Sequence, residues 1–288
     1  MAMESGGSLD EKSLGKRLQD ARRAAGFTQQ SLCHKAGLSY STLAKIERGA
    51  IKAPSIFTIQ TIAEALGVGL DALMGLSGTS GPQKMTAANG VKFVYFDVNG
   101  CLVRSFHRAF TKLAADTGAP FDAVESAFWH YNDQVCRGTM TMAEFNAASA
   151  ERFGVATIDW AEYYLDAIEP IPEMRELVEW TAERYRVGLL TNIMPGLVDA
   201  MRLKGTLPKV NYDVVIDSSE VGALKPEATI YQVAQERAGC SSEEILFVDD
   251  TRQNLMAAEH FGWKVLWFDD YQPEEAIERI KKALEPAT

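Results

Sequence analysis

Asp97, Asn99, Thr191, Asn192, Lys225, Asp249 and Asp250 are the side chains of this sequence whose types could assemble a reaction. Each follows an apolar run: Val91 to Phe96 leads into Asp97-Val98-Asn99-Gly100, and Arg186 to Leu190 into Thr191-Asn192. Tyr212 to Ile216 leads on to Lys225-Pro226, and Glu244 to Val248 into Asp249-Asp250. Carboxylates offer hard oxygen ligands for a divalent cation. Mg²⁺ suits them best, because it accepts few carboxylates together with waters and a phosphate. Thr191 and Asn192 can hydrogen-bond phosphoryl oxygens, and Lys225 can neutralise charge that develops there. Positioning and electrostatics of this kind are most of what phosphoryl transfer asks of a protein. Taken singly, each residue has a plainer role: Thr191-Asn192 can end a strand, Lys225 before a proline can be a solvated turn, and Asp249-Asp250 can cap the next helix. Four such groups, each after an apolar run, point to one phosphoryl-transfer site.

The elements that must position them follow from the same runs. A continuous apolar stretch ending in an acid and a glycine is the pattern of a buried parallel strand that delivers a carboxylate to the C-terminal edge of a sheet. Pro172 to Arg184 supplies the crossover helix that a parallel pair requires. Further helices are expected from near Glu227 and over Asn254 to Phe261, with a fifth strand over Trp263 to Phe268. Strands alternating with helices give a three-layer, doubly wound α/β body. Between the first two strands, Ser105 to Ile168 reads as helical and rich in aromatic residues, Phe106, Phe110, Phe128, Trp129, Trp160 and Tyr164 among them, which are expected to be core.

In this order the motifs Asp97-x-Asn99-Gly100, Thr191-Asn192, Lys225-Pro226 and Asp249-Asp250 resemble the four motifs of the haloacid dehalogenase-like superfamily. The resemblance covers 91–288 and implies a Rossmann-like fold with an α-helical cap at about 104–170 that closes over the site and selects substrate. It implies Mg²⁺ held at Asp97, Asn99, Asp249 and Asp250, with Asp250 the direct carboxylate ligand and Asn99 lending its backbone carbonyl. It makes Asp97 the nucleophile that becomes an aspartyl-phosphate, assisted by Thr191 and Lys225, with Asn99 and Asn192 meeting the substrate. One position departs from the pattern: phosphatases of this superfamily usually carry a second aspartate where this chain has Asn99. An amide cannot serve as general acid and base, a role typically worth about 10² to 10⁴ in rate. The resemblance therefore implies a body that binds a phosphorylated small molecule and senses it, hydrolysing it slowly and best as an acyl phosphate. The alternatives are an active Mg²⁺-dependent phosphatase with an accessory DNA-binding domain, and a vestigial scaffold.

Upstream, the chain changes character. The net charge of −10 conceals nine Lys/Arg against six Asp/Glu between Leu9 and Gly75, a mildly basic head on an acidic body. Gly, Ser, Thr, Pro and Ala crowd 76–90, the expected linker between a head at 9–75 and the body, and Met1 to Leu9 reads as a tail. In the head, Leu14, Leu18, Ala21 and Ala25 mark one face of a helix whose other face carries Lys16, Arg17, Arg22 and Arg23. Thr28 can cap a second helix that Gly37 closes, and a third starts at Ser39. Pro54 opens a fourth, and Leu70 to Met74 make a short fifth. Two short helices joined by a glycine-containing turn form a helix-turn-helix, whose second member enters the major groove. The series Phe-Thr-Gln-Gln, Ala-Gly-Leu-Ser, Ile-Glu-Arg-Gly and Ala-Leu-Gly-Val resembles the Cro/phage-repressor-like (Xre-type) family. That resemblance implies contacts to a double-stranded DNA operator from Thr28, Gln29, Ser39, Tyr40, Ser41, Thr42 and Lys45, hence a transcription regulator.

So small a positive charge is a weak footprint for phosphate binding, which makes a homodimer on two half-sites the expected form. The four scattered cysteines contain no CxxC pair, which argues against a zinc site or a disulfide framework and suggests a reducing cytoplasm. No run approaches the roughly 18 apolar residues of a membrane span.

Overall fold

The computed structural model describes residues 11–51, 54–70, 73 and 84–286, in two compact units that divide between Gly81 and Pro82. The expected tail, most of the expected linker and most of the short fifth helix of the head fall outside the described residues.

In the head, α1 (Glu11–Ala24), α2 (Gln29–Ala36), α3 (Tyr40–Glu47) and α4 (Ile56–Leu66) enclose a core of Leu18, Leu32, Leu43, Ile46, Ile59 and Ile62. The helix starts carry hydroxyl caps: Thr28, Ser39 and Ser55 each accept from a backbone N–H one turn on. The fourth helix thus begins from a Ser55 cap, with Pro54 just outside it. Gly15 lies where α1 crosses α3. A Cβ there would stand 2.6 Å from the Ile46 carbonyl oxygen, so only glycine permits the approach. Arg22, expected on the solvent face, is instead buried. Its Nε and Nη2 donate to Glu47 at 2.6 and 3.0 Å, a two-pronged bond that ties α1 to α3.

The body is built on β1 (Phe93–Phe96), β4 (Arg186–Thr191), β5 (Val214–Asp217), β6 (Ile245–Asp249) and β7 (Lys264–Trp267), all parallel, in the order β5-β4-β1-β6-β7. Side chains alternate along β1: Val94 and Phe96 enter one core, Phe93 and Tyr95 the other, and all four are buried. That is why the strand reads as an unbroken apolar run. Helices cover both faces. α9 (Pro172–Arg184) and α14 (Pro273–Ala283) bury Met174, Leu177 and Ile280 on one side. α12 (Ala228–Ala238) and α13 (Arg252–His260) bury Ile230, Tyr231 and Leu255 on the other. The buried Tyr95 hydroxyl donates to the Ala234 carbonyl at 2.8 Å, which satisfies the one polar atom of that strand's side chains. Three helices escape the sequence reading, α10 (Leu197–Lys204), the four-residue α11 (Ser218–Val221) and α14.

Between β1 and β4 stands the cap: α5 (Arg108–Thr117), α6 (Phe121–Cys136), α7 (Met142–Phe153) and α8 (Trp160–Ala167). Its entrance and exit pair as a two-stranded antiparallel ribbon, β2 (Val103–Arg104) with β3 (Glu169–Pro170). Ser105, directly after β2, has φ +72°, a left-handed conformation that non-glycine residues seldom adopt. Phe110, Phe128, Phe145 and Trp160 form the cap's interior, with Phe145 stacked on Trp160 at 5.3 Å. The Trp160 ring N–H donates to Ser149 at 2.8 Å. Phe121 and Trp129, expected in the core, are instead exposed to 41% and 48%.

Candidate active site

β1 is the central strand, and chain order reverses between it and β6, the place where open α/β sheets gather ligands. Phe96 pairs with Leu189 of β4 and Val248 of β6, so Asp97 leaves the sheet level with Asp249 and one residue short of Thr191. The loop that follows doubles back: Gly100 N–H donates to the Val103 carbonyl at 2.8 Å. Gly100 has φ +82°, and a Cβ there would lie 2.2 Å from Asp250 Oδ2. The glycine after Asn99 is thus what lets the Asp250 carboxylate approach the first loop.

Lys225 lies between two carboxylates, its Nζ 2.8 Å from Asp97 Oδ1 and 2.7 Å from Asp249 Oδ2, and all three residues are buried. It arrives there because Asn192 grips its backbone: Lys225 N–H donates to Asn192 Oδ1 at 2.8 Å, and Asn192 Nδ2 donates to the Lys225 carbonyl at 2.9 Å. Asn192, expected to meet substrate, therefore works first as the brace that sets the lysine. The peptide between Lys225 and Pro226 is cis. Asp249 is fully committed. Besides Lys225 it accepts from Thr251 N–H at 2.7 Å and from Asn254 Nδ2, which reaches both of its oxygens at 3.1 Å. Asp250 has a looser hold on its neighbours, with a 3.4 Å bond from the Thr251 hydroxyl. Val98 N–H donates to Asp97 Oδ1 at 2.7 Å, which leaves Oδ2 as the free oxygen of that carboxylate among the described residues.

Oxygen atoms of Asp97, Asp249 and Asp250, one from each, lie within 4.8 Å of one another. An all-carboxylate cluster of that span is the donor set a hard divalent cation such as Mg²⁺ takes. Because Asp249 is used up on Lys225 and Asn254, Asp250, together with the Asp97 carboxylate, is what fits the cation directly. Burial pushes the Asp97 carboxyl up to about 7, Lys225 opposing it and Asp249 adding to it. Burial, with Asp249 beside it, pushes Asp250 up to about 6. Burial alone would lower Lys225, but Asp249 and Asp97 outweigh it and hold its ammonium above the ordinary value. An extra positive charge at these acids would relieve the crowding that raises them. The Thr191 hydroxyl is fully buried and has no hydrogen-bond partner among the described residues, so its donor is open to a group bound in the site.

Above these groups is a cavity of about 490 Å³, walled by the core side with Asp97, Asn99, Lys225 and Asp250 and by the cap side with Phe106, Trp129 and Tyr164. Trp129, Asn132, Asp133 and Cys136 line it from α6, spaced as one helical face. The Tyr164 hydroxyl, from cap helix α8, donates to Asn99 Oδ1. Further ties fasten cap to core. Arg137 reaches Glu227 through both ends of its guanidinium, and the Ser218 hydroxyl donates to the Cys136 carbonyl at 2.5 Å. Sequence reasoning missed Tyr164 and Asn254. Tyr164 was one aromatic among many, and Asn254 lay inside an expected helix with nothing to tell it from a surface residue.

In the head, Tyr40, Ser41 and Lys45 present exposed side chains on α3, and Thr28 does so at the start of α2. Thr28 and Ser39 double as helix caps, and the Thr42 hydroxyl pairs with that of Ser39 at 2.8 Å. Gln29 donates to Glu47 at 2.8 Å, which joins it to the Arg22–Glu47 bond and fixes α2 against α3. A groove runs beside Tyr40 and Thr28, and Gln19, Arg23 and Gln30, which the sequence reading did not place among the DNA contacts, share it.

Residues 91–262 match the model of the haloacid dehalogenase-like hydrolases, and residues 18–73 match that of the helix-turn-helix domains. Haloacetate dehalogenase H-2 of Moraxella sp. (strain B) is 30% identical over 112 residues, 38% of this chain and 49% of that protein. The chain thus spans about half the length of that relative. The immunity repressor protein of Bacillus phage phi105 is 40% identical over 63 residues, 22% of this chain and 43% of the repressor. Among solved structures, a family enzyme from Bacteroides thetaiotaomicron in complex with magnesium and inorganic phosphate shares the fold. Its TM-score is 0.54 at 22% identity, covering 63% of this chain and 96% of that one.

Proposed function

Because the chain belongs to the haloacid dehalogenase-like hydrolase family and carries a helix-turn-helix domain ahead of it, we propose a DNA-binding transcription regulator whose body binds Mg²⁺ and a phosphorylated small molecule. In this reading the body senses that molecule and turns it over slowly. The observation that carries the reading is the pairing of an intact nucleophile, Asp97 beside Lys225 at 2.8 Å, with an amide at Asn99 in place of an acid.

Asp97 Oδ2 would attack phosphorus, forming the Asp97 O–P bond as the bond to the leaving oxygen breaks. The Lys225 ammonium balances charge on the carboxylates and the transferring group, and the unpartnered Thr191 hydroxyl is free to donate to a phosphoryl oxygen. A Mg²⁺ held by Asp97 and Asp250 would supply positive charge to the phosphoryl oxygens. The leaving oxygen of an ordinary ester needs a proton, and Asn99 has none to give. An acyl phosphate needs none, because a carboxylate leaves. General acid-base help is worth about 10² to 10⁴ in rate, so its loss favours a phosphorylated state that persists. The structure in complex with magnesium and inorganic phosphate supports the same ligand class here. The match to a dehalogenase weighs less, since carbon–halogen displacement does not call for a metal-binding acid pair such as Asp249 and Asp250 beside the nucleophile.

The intact Asp97, Lys225 and Thr191 favour one competing reading, a fully active Mg²⁺-dependent phosphatase with an accessory DNA-binding head. Incubation of the protein with Mg²⁺ and a panel of phosphate esters and acyl phosphates separates the two. Efficient turnover of simple esters by the unaltered chain would overturn the sensing reading; phosphorylation at Asp97 with slow release supports it. Footprinting on the protein's own promoter region tests the regulatory half, which a head indifferent to DNA at low salt would sink.

A further inference from the structure

We propose that Tyr164 is a positioning residue: it fixes the Asn99 amide with its NH₂ group turned into the cavity, so that Asn99 meets a phosphoryl group as donor and never as acceptor. The proposal rests on the reading above, that Asp97 takes up a phosphoryl group.

The geometry assigns the amide's two ends. Tyr164 comes from α8 and is 4% exposed, and its hydroxyl donates to Asn99 Oδ1. That is the only bond the phenol makes among the described residues. Turning the amide by half a rotation would place NH₂ against the hydroxyl and leave the buried phenol proton without an acceptor, the costly way to break a buried bond. The loop beneath is held as well, through Gly100 N–H on the Val103 carbonyl at 2.8 Å and a bridge between Asn99 and Val103. With Oδ1 engaged, Nδ2 is the end left for the cavity that Asn99 lines.

The orientation has a chemical consequence. Hydrolysis of phospho-Asp97 forms a bond from water oxygen to phosphorus, breaks the Asp97 O–P bond, and passes the water's proton to a phosphate oxygen or to solvent. An NH₂ group can hold a phosphoryl oxygen, but it offers no lone pair to align that water. The carbonyl end would. Tyr164 therefore removes the one acceptor that Asn99 could have shown the water, and because the tyrosine belongs to the cap, the cap in this position and the donor orientation go together.

An amide has two different ends and a carboxylate has two equivalent ones, which supplies the test. The full chain, Tyr164→Phe, Asn99→Asp and the double variant are treated with acetyl phosphate and Mg²⁺. The lifetime of the phosphorylated protein is then followed after quenching at intervals, and affinity for inorganic phosphate is measured by calorimetry. Melting curves confirm that each variant is folded. Expected is a several-fold shorter lifetime and several-fold weaker phosphate binding for Tyr164→Phe against the unaltered chain, with much smaller changes when Tyr164→Phe is added to Asn99→Asp. Equal effects in both backgrounds would reduce Tyr164 to a packing residue, and no effect in either would also overturn the assignment. A phosphorylated protein insensitive to Tyr164→Phe would leave the sensing reading standing and remove this one. Absence of both phosphorylation and phosphate binding would remove both. Binding without phosphorylation would refute only the covalent step, and the binding data would still decide the role of Tyr164.

Discussion

At the scale of single residues, the chemistry-bearing side chains were legible because each ends or follows an apolar run. Asp97, Thr191, Lys225 and Asp249 are all buried at the edge of one sheet. Their partners were not legible. Tyr164 stands 65 positions from Asn99, and Asn254 meets Asp249 from within a helix, so no local pattern announced either. Asn192 shows how a residue of the expected type can have a nearer task, holding Lys225 in place. Two predictions belong at this scale. Asn99→Asp restores a carboxyl beside the nucleophile, and turnover of phosphate esters should rise by about 10² or more; an unchanged rate in a steady-state assay would place the block elsewhere. The second concerns pH. Asp97, pushed up to about 7, and Asp250, pushed up to about 6, keep their protons to higher pH folded than unfolded. Between about pH 4 and pH 7 the folded state therefore binds more protons. Their contribution to stability is complete below the unfolded value of about 3.9 and is lost as pH rises through the folded values. In metal-free buffer the melting temperature should decline across that window, and Asp97→Asn should flatten the decline. A slope unaffected by Asp97→Asn would mean that these carboxyls are charged at every pH tested.

At the scale of elements, the five strands and the helices α9, α12 and α13 were read nearly in place, with ends displaced by one or two residues. β5 runs on to Asp217, and β6 begins at Ile245 after a short turn of 3₁₀ helix. Apart from α14, which went unread despite Pro273 in its first turn, what escaped was short or unmarked. Four residues of α11 and the two-residue strands β2 and β3 are too few for any periodicity. α10 starts from Gly196 with φ +78° and no side-chain cap, so the usual hydroxyl or carboxylate signal is missing. The cap was recognisable by its aromatic content, yet which rings pack and which face the cavity depends on how four helices meet. Phe145 packs: it is fully buried, stacked on Trp160 and does not line the cavity. Phe145→Ala removes a large ring from a close-packed interior and should cost about 3–5 kcal/mol. Denaturant unfolding followed by tryptophan fluorescence checks this, and a loss below about 1 kcal/mol would mean that the cap interior closes over the gap, which close packing resists.

At the scale of the whole molecule, the sequence shows a mildly basic head and an acidic body, and the structure resolves them as two compact units. No helix among the described residues is long and apolar enough to cross a membrane. The proposed regulator needs a free-energy link between its units. A ligand changes DNA affinity only by as much as its own affinity differs between the free and DNA-bound protein, and the link runs equally in both directions. Typical coupling of about 1–3 kcal/mol corresponds to a 5- to 150-fold change in affinity. The expected outcome is therefore a change of at least about fivefold in operator affinity when beryllium fluoride and Mg²⁺ are added to mimic phosphorylated Asp97. Fluorescence anisotropy with labelled operator at fixed salt measures it, and fixed salt matters because phosphate contacts make affinity steeply salt-dependent. The same addition to Asp97→Asn controls for fluoride acting elsewhere and should change nothing. Equal affinity with and without the mimic in the unaltered chain would separate the two halves functionally, since a ligand bound equally well in both states shifts neither.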